Sequence, residues 1–534
     1  MRFRGRLRVE LSREIVEEDL EAIREALEAV GHHLVKGFRN PEEGGRVESW
    51  GYSGRVLELV ISSGRLRLDE ASMRVRRVLE EVLGRSRRLG VRGLRLEDAV
   101  VELDGEVRVG GRLPFVRGVE VVGGRTVIHL EPMDEGDLKR PILLRLLRLL
   151  NEKEVRARWG GKAEHWQLIK QSGVKLEPPP YTDDPNKVLE EAGLVKRFSV
   201  GQWLYTPLAA YLLRMVREVF LEEVVRPLGF VEAVFPKMYP LEIGLRTGHL
   251  RGTINSLVFA SLPKTYDIEE FEELTDYMYV MDEAPPEEVG RYVRYPEYFL
   301  CFAQCEPFYW FFGGELVDDG ALPVKWYDMS GPSFRWESGG IYGLERVIEF
   351  HRVEVVWLGT PEQVVSIRND LLKAYERFMD EVLDLEWRLA WVTPWYYEQS
   401  GTVEKVEEFD IDRPGTIDFE VWLPYRGPRE DRKTWLEVGN ISIHGTKFTE
   451  PFRIRHNRGR TLWTGCSGFG SQRWLISVLA QKGFNPENWP PKLREYLERN
   501  PPPDPIVLVT YPKTQSGRRE LEQLVKYLSK YLRR

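Results

Sequence analysis

Cysteine is nearly absent: 534 residues hold only Cys301, Cys305 and Cys466. Three separated thiols with no C-x-x-C pair make neither a disulfide framework nor a zinc site that spacing alone defines. On spacing, buried free thiols are the plain reading of all three, in a reducing, cytoplasmic setting. Long apolar runs are missing too. No stretch of eighteen apolar residues exists, so no membrane-spanning helix is expected. The opening Met1-Arg2-Phe3-Arg4-Gly5-Arg6 lacks the apolar core of a secretory signal. Internal repeats, low-complexity tracts and sustained heptads are absent as well, which excludes a solenoid and a long coiled-coil arm.

What is present fits several packed domains. The length suggests two to four, and a hydrophobic content of 42% with 11% aromatics is ample for their cores. The net charge of −7 is uneven. Residues 1–160 carry 31 Lys and Arg against 28 Asp and Glu, and the remainder 46 against 56. Only Lys36, Lys139 and Lys153 are lysines in that first part. An arginine-dominated N-terminal third suits an RNA backbone, because the planar guanidinium pairs phosphate and stacks on bases. It equally suits the codon usage of a GC-rich genome.

Along the chain, Phe3, Leu7, Val9 and Leu11 alternate with Arg2, Arg4, Arg6 and Arg8, which predicts a half-buried strand with a basic outer face. Ser12 is expected to cap a helix that runs through Val30 and stops at Gly31. A strand at Val56 to Ile61, a helix at Ala71 to Leu83, β structure over 97–131 with Gly-Gly turns at 110–111 and 123–124, and a helix from Leu143 to Arg158 complete an α+β domain at 1–165. Pro178-Pro179-Pro180 and the Tyr181-to-Pro185 turn residues mark 166–200 as a helical, Pro-rich linker. Residues 201–534 form the remaining body.

The chemistry is concentrated there. Phe334-Arg335-Trp336-Glu337 and Arg346-Val347-Ile348-Glu349-Phe350, with Glu354 beyond, place two arginines, two carboxylates and a ring on a segment flanked by strands at Val324 to Tyr327 and Val353 to Trp357. Guanidinium forks match phosphate oxygens and the ring can stack on a base; a salt-bridged surface hairpin is the plain alternative. Further on, Thr464 to Trp474 reads as a glycine-dense turn feeding a helix whose first turn carries Arg473, an arrangement that favours anions.

The order of these segments resembles the class II aminoacyl-tRNA synthetases. Arg335, Glu337, Arg346, Phe350 and Glu354 fill their motif 2; Gly468, Gly470 and Arg473 fill motif 3. A helix from Pro207 to Val225, a strand Phe230 to Phe235 and Pro236 stand for motif 1. Ala303 to Tyr309, Leu436 to Ser442, Gly465-Cys466 and Leu479 to Phe484 narrow the resemblance to the rare, methanogenic-archaeal type of seryl-tRNA synthetase. The missing heptads agree, since the ordinary type begins with a long helical hairpin.

That resemblance implies a class II antiparallel sheet flanked by helices plus a separate α+β tRNA-binding domain. It implies ATP, L-serine and tRNA(Ser), with tRNA(Sec) as a further partner, a homodimer built through motif 1, and no membrane. It implies one Zn2+ per subunit held by Cys305, Glu354 and Cys466, taking the amino group of serine, and Mg2+ with ATP. Arg335 and Arg473 would be catalytic. Arg335, Glu337, Arg346, Phe350, Glu437 and Arg473 would bind ATP, and Trp395, Gln399, Asn440 and Arg352 serine, with the 391–403 segment closing over it. Three alternatives remain: an amino acid:carrier-protein ligase, a threonyl-type synthetase with histidine-rich metal ligands, and a non-catalytic class II paralogue that binds RNA.

Overall fold

The computed structural model describes residues 1–105, 113–158, 166–337, 340–392, 413–502 and 512–531. The chain divides into two compact units, one over Met1–Ala163 and one beginning at Glu164.

The first unit is α+β, as expected. Its antiparallel sheet runs in the order Gly45–Ser53, Val56–Ser63, Arg2–Leu11, Val91–Asp104, Arg125–Leu130, Val116–Val122, with Met133–Asp134 also on Val91–Asp104. The Arg2–Leu11 strand alternates as its sequence predicts, with Phe3, Leu7, Val9 and Leu11 buried. Helices Leu20–Val35 and Leu68–Arg87 share that core through Ile23, Val30, Leu34, Val75 and Leu79. Gly123 and Gly124, both at positive φ, form the two-residue turn between paired strands, a conformation glycine takes without strain. The 110–111 turn lies outside the described residues.

Two boundaries differ from expectation. Ser12 is not a helix cap; its hydroxyl accepts from the Gly90 N–H at 3.0 Å, and the first helix begins only at Leu20 after a single turn at Glu17–Asp19. Nor does that helix stop at Gly31. Leu34 is fully buried one turn beyond Val30, and its packing carries the helix across the glycine to Val35.

The second unit is built on a nine-stranded sheet in the order Val231–Glu232, Val324–Asp328, Glu349–Gly359, Trp463–Gly470, Trp435–Gly445, Gly415–Trp422, Trp387–Val392, Trp166–Gln171, with Pro332–Phe334 also on Glu349–Gly359. Among the described residues every pairing in this sheet is antiparallel except that of Val231–Glu232 with Val324–Asp328. Helices Pro207–Phe220, Pro361–Arg377 and Ser471–Lys482 bury one face. Phe220, Phe469 and Trp474 stack there, with ring centres 3.9 and 5.0 Å apart.

The expected motif 1 helix is present, and its last turn, Leu221–Val225, widens to a π-turn. The strand after it is only Val231–Glu232, not Phe230 to Phe235, and it leaves Val231 64% and Val234 77% exposed. The glycine-dense stretch at 463–470 is a strand, not a turn. Its glycines answer to close neighbours: a Cβ on Gly465 would meet the Trp357 indole at 2.3 Å, and one on Gly439 across the ladder would meet the Gly468 carbonyl at 2.5 Å. The 166–200 stretch contributes an edge strand, Trp166–Gln171, and a helix, Pro185–Glu191, to this unit, because Ile169, Val188 and Leu189 reach its core. Among the described residues no helix is long and apolar enough to cross a membrane.

Candidate active site

The sheet face opposite the helices floors a cavity of about 1040 Å³. Strand alternation decides what lines it. On Glu349–Gly359, Val353, Val355 and Trp357 point into the helical core, which leaves Phe350, Arg352 and Glu354 for the cavity. Ladder register then sets one row across the floor: Glu354 opposite Gly468, Gly468 opposite Asn440, Asn440 opposite Asp418. The next row brings Cys466, Ser442 and Thr416 abreast.

At one end, Cys305, Glu354 and Cys466 gather. Each offers one ligand atom, and the three atoms lie within 4.8 Å of one another. Glu354 and Cys466 come from adjacent strands, whereas Cys305 sits at the start of helix Glu306–Phe311, 49 residues before Glu354 in sequence. Burial pushes the Glu354 carboxyl up, against the pull of the Arg352 guanidinium 3.1 Å away. The Cys466 thiol is raised first by its hydrogen bond with Cys305 and then by burial. Among the described residues Glu354 Oε2 makes no contact in hydrogen-bond geometry; its nearest charge is Arg352 Nε at 3.1 Å. Two thiols and a carboxylate gathered this closely suit a thiophilic divalent ion, and three protein ligands leave one position for a substrate atom. His444 lies beside this group, with Nε2 3.5 Å from Cys466 Sγ, and burial lowers its pKa to about 3, so the imidazole is neutral.

Cys301 stands apart. Tyr239 donates to its sulfur at 3.0 Å, Ser333 Oγ lies at 3.6 Å, and burial pushes the thiol up to about 11. It follows the strand Tyr298–Leu300 and lies four residues before Cys305, the N-cap of helix Glu306–Phe311, so the two thiols do not share a helix face.

At the other end lie Arg335, Glu337, Arg346, Phe350, Glu437 and Arg473. Arg335 Nε is 3.2 Å from Glu337, and its guanidinium lies 5.5 Å from the Phe302 ring centre. Arg473 donates to the carbonyls of Glu345 and Glu437, at 2.8 and 2.9 Å, which fixes its plane. Arg352 spans the two ends, donating to the Phe302 carbonyl and to Ser333 while flanking Glu354. Trp395 and Gln399 lie outside the described residues.

Several lining groups carried no sequence signal. His249 is paired tightly with the buried Glu306, to which Thr247 also donates at 2.9 Å. Glu306 lies within the Ala303–Tyr309 segment, but His249 has no motif around it. Glu345, immediately before the second motif 2 arginine, Arg346, is buried against Arg426 and Asn186. Only the fold brings residues 186, 345 and 426 together.

Residues 1–152 match a family model described as a tRNA-binding domain, and residues 293–482 match the tRNA synthetase class II core domain (G, H, P, S and T). The chain is 38% identical over 485 residues to a type-2 serine--tRNA ligase of Methanococcoides burtonii, covering 90% of this chain and 95% of that one. It is 37% identical over 522 residues to the type-2 serine--tRNA ligase of Methanopyrus kandleri, covering 93% and 96%. Among solved structures, M. kandleri SerRS in complex with A. aeolicus tRNASec superposes with a TM-score of 0.77 at 35% identity, covering 96% of this chain and 99% of that one.

Proposed function

The chain belongs to the type-2 serine--tRNA ligases, and from that membership we propose that it activates L-serine with ATP and transfers the seryl group to tRNA(Ser), and to tRNA(Sec) as well. The observation that carries this reading is one cavity holding both a Cys-Cys-Glu cluster and the motif 2 and motif 3 arginines.

Activation brings one anion to another. The serine carboxylate oxygen bonds to the α-phosphorus of ATP, and pyrophosphate leaves with the electrons of the broken P–O bond. Little proton transfer is needed, so fixed cations do most of the work. Arg335 offsets the charge of the carboxylate and α-phosphate, and Glu337 accepts from a nucleotide or substrate amine. Arg346 and Arg473 hold the outer phosphates, and the carbonyl-anchored Arg473 covers one adenine face while Phe350 covers the other. Glu437, next to Arg473, would hold Mg2+ brought with ATP. In transfer, a terminal ribose hydroxyl attacks the seryl carbonyl carbon, the anhydride C–O bond breaks, AMP departs and the hydroxyl proton passes to solvent.

Cys305, Glu354 and Cys466 would hold Zn2+, which supplies a Lewis-acid position for the serine amine. Arg352 favours the ionised form of Glu354 and orients it, and Asn440 faces the substrate from the floor. Trp395 and Gln399 complete the serine pocket in this reading. A second copy covers the exposed Val231 and Val234 beside the motif 1 helix, giving the homodimer. The donor set speaks against a threonyl-type site with two histidines, and the tRNA-binding match at 1–152 speaks against a carrier-protein ligase.

The test is ATP–pyrophosphate exchange with each of the twenty amino acids, alongside elemental analysis of the purified protein. Serine alone should support exchange, with one zinc per subunit. Exchange with another amino acid, or protein active without metal, would overturn the reading.

A further inference from the structure

Beyond the nucleotide end and the Cys-Cys-Glu end, the cavity has a third group of lining residues, a wing to which the activation chemistry above gives no role. Trp166, Glu420, Asp431, Arg432, Lys433 and Trp435 line it.

The wing is built from stacked cations and indoles. The Arg388 guanidinium lies 4.8 Å from the Trp166 ring centre and 4.3 Å from that of Trp435, so it is clamped by two indoles. Arg432 lies 4.5 Å from the same Trp166 ring. Glu420 ties the stack down, accepting from Arg388 Nε and from the Trp166 indole N–H. Trp435 is fixed in turn, donating to the Arg429 carbonyl at 2.8 Å. Asp431 accepts from the Lys433 N–H at 2.9 Å, holding the turn that presents Arg432 and Lys433. Arg388 is only 10% exposed, and its Nη2 has no hydrogen-bond partner among the described residues. A buried, incompletely paired arginine is costly, and here it serves as the filling between two rings.

Resting on the function proposed above, we propose that this wing receives the single-stranded 3′ end of the tRNA, with a base laid on the Arg432–Trp166–Arg388–Trp435 stack and a phosphate beside Lys433. The chemistry requires such a place: the adenylate is attacked by a ribose hydroxyl at the end of a strand, so the last nucleotides must enter the cavity unpaired. Unpaired bases are held by stacking on aromatic rings and guanidinium planes, with cations tracking the backbone. The outer members suit both tasks, since Arg432 and Lys433 are exposed and Trp435 is half-buried.

Arg432→Ala and Arg432→Lys separate stacking from charge in a surface residue whose loss should leave the fold intact. Serine-dependent exchange, which needs no tRNA, should stay within about twofold in both variants. Single-turnover transfer from enzyme-bound adenylate should fall about tenfold in Arg432→Ala and nearly as far in Arg432→Lys, because lysine keeps the charge but not the plane. Binding gives a readout without catalysis: wild type should hold intact tRNA more tightly than tRNA lacking its last three nucleotides, and Arg432→Ala should erase that difference. Unchanged transfer with an unchanged intact-to-truncated ratio overturns the proposal, and full rescue by lysine overturns the stacking part. Absence of serine-dependent exchange in wild type would instead sink the functional reading, and the binding comparison would still judge the wing.

Discussion

Both units are built on sheets that are wholly or almost wholly antiparallel, with helices on one face, yet their second faces differ in kind. In the N-terminal sheet that face carries Arg4 with Glu48, and Arg8 with Glu58 and Glu97, at 3.0–3.5 Å with water on all of them. In the larger sheet it carries Arg352 with Glu354 and Arg388 with Glu420, all nearly out of water. Strand alternation puts polar residues on the second face in both cases, and cover decides what they do. An exposed pair contributes about 0–1 kcal/mol and can be exchanged singly. A buried pair contributes little net stability, but removing one member strands the other, at about 3–5 kcal/mol.

Glu354→Gln should break the contrast hardest. It removes a proposed ligand and leaves Arg352 a buried cation without its counter-charge. Zinc content should fall from one per subunit towards zero and serine-dependent exchange by more than about 100-fold. The unfolding free energy should drop by about 3–5 kcal/mol on a denaturant titration. Retention of metal and activity would mean that the carboxylate is structural only.

Much of this was legible beforehand. The motif residues Arg335, Arg346, Glu354, Cys466 and Arg473 do line one cavity: ladder register brings Glu354 and Cys466 close on adjacent strands, and the three arginines stand just off the strand ends, Arg335 after Pro332–Phe334, Arg346 before Glu349–Gly359 and Arg473 in the helix that follows Trp463–Gly470. What stayed hidden came from other elements. The segments bearing His249, Asn186 and Arg426 meet the site only through tertiary packing, and no periodicity marks them. The glycines of 463–470 misled for a physical reason: a strand pressed against Trp357 and a neighbouring ladder needs glycine as much as a turn does. Likewise Gly31 signals a helix end only if nothing beyond it packs, and Leu34 does.

The two neighbouring thiols sharpen the contrast at smaller scale. Cys301 and Cys305 are both buried, but the first is committed to Tyr239 and Ser333, and the second faces Glu354 and Cys466. Cys301→Ala should therefore keep one zinc per subunit and full exchange, and lower stability by about 1 kcal/mol as the Tyr239 hydroxyl loses a partner. Loss of zinc in that variant would move Cys301 into the ligand set.

The smallest effect on folding belongs to the exposed face of the first sheet. Arg8→Ala breaks pairs to Glu58 and Glu97 that are 3.3 and 3.5 Å long and open to solvent, so unfolding should shift by less than about 1 kcal/mol. Serine activation, carried by the other unit, should not change at all. If this face meets the RNA backbone, tRNA affinity should still weaken, and the slope of log affinity against log salt should become shallower by roughly one. A shallower slope with unchanged stability would show that arginines dispensable to the fold are retained for the nucleic acid. An unchanged slope would place the RNA on another face of the 1–152 domain and leave this row of charges as solvation alone.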